Sequence, residues 1–211
     1  MPLPQPDGAL AQPITFELAG GGRLMATGTI TPGSSQAFAA EVDRHGEYIK
    51  TVVLNSPGGS VTDALVIGQL IRARKFATEV KAGKYCASSC PLVFAGGIVR
   101  RAGERAMIGV HQVAAVPSPG NAAPRNEMSL TQSISARCQR YLADMGVNLQ
   151  VWTHAMDAKR QIVRVQARRA ESAQSGHISA GISARKNTNL RAFLSSAQAT
   201  RSGGTIVARL R

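Results

Sequence analysis

The chain has 211 residues, 44% of them apolar, an ordinary share for a globular protein and length enough for one sizeable core. No apolar run reaches the roughly 18 residues that a membrane span needs, and three cysteines are too few for a disulfide scaffold. The formal net charge is +13, a balance that points to nucleic acid or an anionic surface until its distribution is read. Up to Asp157 there are 14 Lys+Arg and 11 Asp+Glu; from Ala158 onward there are 11 Lys+Arg and one acid, Glu171. The basicity therefore belongs to the last quarter of the chain, and a nucleic-acid partner is not expected for the rest.

In chain order, the proline-rich lead at 1–13 has no basic start and no apolar stretch, so no secretory signal is visible in it. ITFEL (14–18) alternates as a strand, Gly20-Gly21-Gly22 turns, and RLMATGTI (23–30) is its hairpin partner. A helix opens at Pro32-Gly33-Ser34-Ser35, repeats Phe38, Ala39 and Val42 at helical spacing, and stops at Gly46. TVVLN (51–55) has the β-branched apolar run of a buried parallel strand. SPGGS follows, then the helix VTDALVIGQLIRAR, then the weaker strand ATEVKAG. CASSCPLVFAGGIV predicts a turn into a buried helix, with Pro91 tolerated in its first turn. RAMIGV (105–110) is a strand with His111 at its end, and VPSPGNAAPRN (116–126) is a loop. NEMSLTQSISARCQRYLADMG is a long helix closed by Gly146, and NLQVWTHAMDAKR predicts another. From 158 to 211 the composition turns to Ser, Ala, Arg and Gly, which predicts a basic low-complexity tail, disordered or frame-shifted; a nucleic-acid arm is the further alternative, disfavoured because the tail lacks Tyr and Trp for stacking.

Strands alternating with helices over short joints predict right-handed βαβ units and a parallel sheet. In such sheets sites gather where strands end and helices begin. Residues 55–60, Ser88 with Ser89, and His111 all fall at such ends.

Each of these has a plain structural reading and a chemical one. The two glycines of SPGGS allow backbone conformations that leave N–H groups aimed at one point, where a developing oxyanion would bind. Ser88 and Ser89 are ordinary helix-cap types, but a serine becomes a nucleophile when an imidazole takes its proton, and His111 is placed to do so. Cys86 and Cys90, one helical turn apart at about 6 Å between Cα atoms, are within disulfide reach. Two reduced cysteines, a reactive Cys90 thiolate, or a zinc site with a histidine are the alternatives; a single C-x₃-C is weak for zinc. A bridge would leave Cys138 unpaired and would indicate an oxidising compartment. Trp152, His154, Met107 and Met128 are read as packing.

LNSPGGSVTDALVIGQLIR, then CASSCPLVFAGG, then MIGVHQ, resembles the Clp-protease-like branch of the Clp/crotonase superfamily, over roughly residues 24 to 157. It is most similar to bacterial periplasmic-type members in which cysteines flank the serine. The resemblance implies an α/β protein, a Clp/crotonase-type repeated ββα spiral with a largely parallel sheet. It places a catalytic domain at 14–157, between the 1–13 lead and the 158–211 tail. It implies Ser88 as the nucleophile, with Cys90 at the family's usual glycine position, and His111 as the base. Backbone N–H groups of Gly59 and Ser89 would form the oxyanion hole. Asp157 is the nearest candidate for the acid, two residues short of the family's spacing. The family's Leu-Ser-x-x-Glu-Ala…Tyr-Gly-Leu element has no counterpart here, and Asp144 falls too early, on a helix. The related signal peptide peptidases use a Ser–Lys pair, for which Lys84 has no motif support.

The resemblance thus implies a serine hydrolase, a peptidase acting on extended peptides, without cofactor or metal. No G-x-x-x-x-G-K-[ST] loop is present for ATP. A homo-oligomer is expected, periplasmic or membrane-associated, with the cytoplasm as the alternative. Two rivals remain: an inactive binding or scaffold protein with an incomplete triad, and a crotonase-type acyl-CoA enzyme, which needs no serine nucleophile.

Overall fold

Apolar alternation on both sides of a glycine turn sets two strands side by side at the start of the fold. The structure is a computed structural model that describes residues 8–112, 124–157, 199–202 and 205–209. After a short helix α1 (Gly8–Ala11), β1 (Thr15–Ala19) pairs antiparallel with β2 (Arg23–Thr27), Phe16 opposite Ala26. β3 (Thr51–Asn55), β4 (Ala77–Val80) and β6 (Val99–Ala102) then add in parallel. Helices α2 (Ser34–His45) and α3 (Val61–Ala73) make the connections. Leu24, Ala26, Val52 and Leu54 share one buried sheet face in register, and Phe38, Val42, Ala64, Ile67 and Ile71 of the helices belong to the same core.

The chain also repeats a local pattern. β4 leads to the short strand β5 (Tyr85–Ala87) and helix α4 (Cys90–Ala95); β6 leads to β7 (Met107–Gly109) and helix α5 (Pro124–Asp144). β5 and β7 pair in parallel as a second, two-stranded sheet, and Ser56 bridges to Cys86 at its side. Helix α6 (Gln150–Asp157) follows, after Gly146 ends the preceding helix with φ 63.

Four expectations need correction. The sheet is mixed: with β8 (Ala199–Ser202) and β9 (Thr205–Arg209) its order is β1-β2-β3-β4-β6-β9-β8, with a parallel centre and antiparallel flanks. The helix expected to run through Ile98 and Val99 stops at Ala95, and Val99–Ala102 is a strand. Two adjacent arginines hid that strand, because Arg100 is fully buried rather than solvated. The long helix begins at Pro124, inside the expected loop. Finally, part of the supposed low-complexity tail is sheet: β8 (Ala199–Ser202) and β9 (Thr205–Arg209) form a hairpin that pairs with β6, Val207 opposite Arg101. Thr-Ile-Val has strong strand propensity, and β6 offers an edge to pair with. The rest of 158–211 lies outside the described residues.

Arg100 and Arg72 meet at the far end of α4. Arg100 donates to the carbonyls of Ala95 and Met145, and Arg72 to those of Gly96, Ala95 and Met145. These are helix-terminal acceptors, where a cation is favoured. Burial and then the neighbouring Arg72 push the Arg100 guanidinium down to about 10. Tyr141 of α5 donates to Leu92 O at 2.8 Å across the same helix. Gly68 makes room for that ring: a Cβ there would lie 1.9 Å from the Tyr141 hydroxyl.

Asp63 fastens α3 to α2. Its Oδ1 accepts from Ser35 N, Ser35 Oγ and Gly33 N, and its Oδ2 accepts from Ser60 Oγ at 2.6 Å. Burial pushes the Asp63 carboxyl up, but the bonds from Ser60, Ser35 and Gly33 outweigh it and hold the group below its ordinary value. A depressed folded value stabilises the protein above the ordinary carboxylate range, and that contribution is lost as pH falls through the folded value. Asp63→Ala is expected to cost about 2–3 kcal/mol in urea unfolding, and Asp63→Asn to flatten the acid limb of stability against pH.

Candidate functional site

The site assembles where β3, β5 and β7 end. β3 delivers Ser56-Pro57-Gly58-Gly59 into the mouth of α3, where Ser60 caps the helix by accepting from Asp63 N. Gly58 and Gly59 have φ of 93 and 136, open to glycine and strained for other residues. Gly58 donates to Ser56 Oγ at 3.1 Å and lies hard against the next turn: a Cβ on it would be 2.4 Å from Ala87 O and 2.7 Å from Ser89 N. Ile30 accepts from Ser60 N and donates to Gly58 O, which leaves Gly59 N–H on the other side. Among the described residues, neither Gly59 N–H nor Ser89 N–H has an acceptor.

Ser88 forms the turn between β5 and α4. Its φ is 60, in the left-handed region, and its N–H donates to Gly109 O of β7 at 2.9 Å. Its Oγ lies 2.8 Å from Nε2 of His111, two residues beyond the end of β7. The other ring nitrogen, Nδ1, lies 2.6 Å from the carbonyl oxygen of Gln112. A carbonyl only accepts, so Nδ1 carries the proton. In the neutral ring Nε2 is then a lone pair facing the Ser88 hydroxyl, the arrangement a general base requires. The Gln112 side chain in turn donates to Met156 O of α6.

Beside this pair opens a cavity of about 290 Å³, walled by Val61, Pro91, Leu92, Leu142, Val151 and Trp152. Gly59, Ser88, Ser89 and His111 also line it. It is apolar except at the edge formed by Ser88, Ser89, His111 and Gln112, so it suits an uncharged side chain.

Cys86 and Cys90 form a disulfide, with Cα atoms 5.2 Å apart and both residues fully buried. Cys138 is unpaired, as the spacing predicts, and reaches the cavity wall from α5. Burial pushes its thiol up to about 11, against a smaller opposing effect of Arg137. Ser89 sits at the start of α4, but its buried hydroxyl makes no capping bond and has no partner among the described residues.

Of the sequence candidates, Ser88, His111, Gly59 and Ser89 come together. Asp157 is the last residue of α6, next to the carbonyl that Gln112 reaches, but its side chain lies outside the described residues, as does that of His154. Asp144 ends α5 and is exposed. Lys84 lines a separate cavity with Lys81 and Asn55 and makes no bond to Ser88. Trp152 was expected only to pack; it also forms part of the cavity wall. Met128 is 66% exposed and does not pack as expected. The Gln112 carbonyl was not foreseen, because a main-chain acceptor has no signature in residue type. Among the described residues no group of three or more His, Cys, Asp or Glu could hold a metal ion, and no helix is long and apolar enough to cross a membrane.

No protein-family model and no curated protein matches the chain. Among solved structures, a mutant of the 1510-N membrane-bound stomatin-specific protease superposes with a TM-score of 0.48 and 17% identity, over 64% of this chain and 67% of that one. A ClpP1 mutant from Listeria monocytogenes gives 0.48 and 16%, over 63% and 77%. A second 1510-N mutant, in complex with a substrate peptide, gives 0.46 and 16%, over 64% and 63%. These are distant likenesses.

The thiol chemistry of the site is directly checkable. Native protein is expected to show no reaction with an aromatic disulfide reagent near pH 8, since Cys138 is buried with its thiol at about 11. The unfolded, unreduced chain is expected to release the signal of Cys138 alone; three reactive thiols would show that the bridge is missing.

Proposed function

We propose that the protein is a serine hydrolase, most specifically a peptidase, with Ser88 as nucleophile and His111 as base. The observation that carries this reading is the 2.8 Å approach of Ser88 Oγ to Nε2 of His111, beside two N–H groups with no acceptor among the described residues. Ser88 Oγ attacks the scissile carbonyl carbon as its proton passes to Nε2. The carbonyl oxygen takes the negative charge and accepts from Gly59 and Ser89 N–H. The imidazolium then protonates the amine nitrogen, the C–N bond breaks, and an acyl ester on Ser88 remains. Water, deprotonated by the freed His111, attacks that ester and releases the acid and Ser88. The Gln112 carbonyl holds the ring in the required tautomer throughout. Asp157 is proposed in a supporting role, stabilising the imidazolium from the end of α6.

The apolar cavity supports a substrate whose acyl-side residue is apolar and uncharged, bound as an extended peptide. The repeated strand, short strand and helix supports the Clp/crotonase-type spiral. The disulfide supports an oxidising location, periplasmic or membrane-associated. Exposed Met128 and Leu130 on α5 support a homo-oligomer. A second reading, a peptide-binding protein without turnover, is favoured by one observation: no carboxylate touches His111 among the described residues.

Hydrolysis of fluorogenic peptides separates the two. Ser88→Ala is expected to lower kcat at least about 10³-fold, and Ser89→Ala to stay within about threefold, since alanine keeps the N–H. Asp157→Asn is expected to lose about fivefold, the scale of a nearby charge of about 1 kcal/mol, and not the ~10⁴ of an aspartate that itself fixes the tautomer. Peptides with an apolar acyl-side residue are expected to outrun charged ones. Retained activity in Ser88→Ala would overturn the proposal, and a folded wild type that binds but never cleaves would favour the second reading.

A further inference from the structure

We infer that the Cys86–Cys90 bridge is a positioning element for the catalytic turn, needed for turnover and not for the fold. This rests on the reading of Ser88 as nucleophile. The bridge joins the middle residue of β5 to the first residue of α4, so the three residues it spans are Ala87, Ser88 and Ser89. The strand side of the turn has its own anchors. Ala87 N donates to Ser56 O, Ser88 N donates to Gly109 O, and Cys86 pairs with Ile108.

The helix side is different. The N–H of Ser89 must stay without a protein acceptor if it is to serve an oxyanion, and its hydroxyl makes no bond among the described residues either. α4 has only six residues: Arg72, Arg100 and Thr78 at Phe94 O hold its far end, Tyr141 holds Leu92 O at its middle, and among the described residues no side chain hydrogen-bonds to Ser89, Cys90 or Pro91. At the near end the covalent bridge supplies what hydrogen bonds cannot without occupying the oxyanion donor. It keeps Ser88 at φ 60 and Ser89 N–H alongside Gly59. Cys138, the third cysteine of this core, is kept a neutral thiol by burial, which protects the bridge from exchange.

Opening the bridge should therefore displace Ser89 N–H while His111 and the strand side of the turn stay in place. The test compares oxidised wild type, wild type reduced by a water-soluble phosphine, and Cys86→Ala/Cys90→Ala. In the reduction the phosphine gives two electrons, water supplies the oxide oxygen, and two thiols form. Expected are a fall in kcat of about 10- to 100-fold, the order of a weakened oxyanion donor, with KM and the pH profile kept, and recovery on reoxidation. Amide hydrogen exchange is expected to quicken in 87–92 and to stay unchanged in the β3 and β7 segments.

A folded, reduced protein or double variant with wild-type kcat and unchanged exchange would overturn the inference. So would global unfolding on reduction, because the bridge would then hold the domain and not the turn. The exchange readout does not need activity: loosening of 87–92 in a protein that never cleaves peptides would retain the positioning role and discard the peptidase reading.

Discussion

Ser88 at φ 60 occupies a backbone region that costs an L-residue about 1–2 kcal/mol. Such a conformation persists only when its surroundings over-determine it. Here they do so from three directions: Gly109 O accepts the Ser88 amide, Gly58 packs against the turn at a distance no Cβ allows, and the Cys86–Cys90 bridge closes over it. The effect is to turn Oγ toward His111 and to leave the next amide, Ser89, without a partner among the described residues. Relaxing Ser88 into an ordinary helical conformation would move both groups at once.

The rest of the fold serves that turn. The main sheet carries Ser56 to Gly59 to one side of it, and the small β5–β7 sheet carries Ser88 and His111 to the other. Short α4 is held at its far end by two arginines on helix-terminal carbonyls and along its side by Tyr141. A guanidinium buried on carbonyls is costly to desolvate, and several donors must be used together for it to be tolerated. Arg100 meets that condition with contacts to two helix ends. The apolar cavity belongs to the same layout: Cys138 and Leu142 of α5 and Val151, Trp152 and Ala155 of α6 line it together with Pro91 and Leu92 at the start of α4.

The parts of the fold legible in the sequence were those with strong local signals. The β-branched run 51–55, the capped helix after SPGG and the glycine-ended helices kept their places to within a few residues. β5 and β6 were not legible. β5 is three residues long, too short for any period, and β6 carries a buried arginine where a strand pattern demands an apolar residue. β9 was hidden by the composition around it, although Thr-Ile-Val is strand-like, and only its pairing with β6 makes it sheet. At the site, Ser88, His111 and the glycine loop stood out because each residue type suits one chemical task. The spacing of Cys86 and Cys90 suited a bridge, with two reduced cysteines, a reactive thiolate or a zinc site as the alternatives. The acceptor on His111 could not be read, since it is a peptide carbonyl.

If the proposed chemistry holds, Ser88 and no other hydroxyl is activated. The most direct measurement is mass mapping of the adduct formed by a fluorophosphonate on oxidised wild-type protein. One adduct is expected, on the peptide containing Ser88 and localised to that residue by fragmentation, abolished by prior unfolding. A folded protein that takes no adduct, or carries it on Ser89 or another residue, would rule out Ser88 as the activated group.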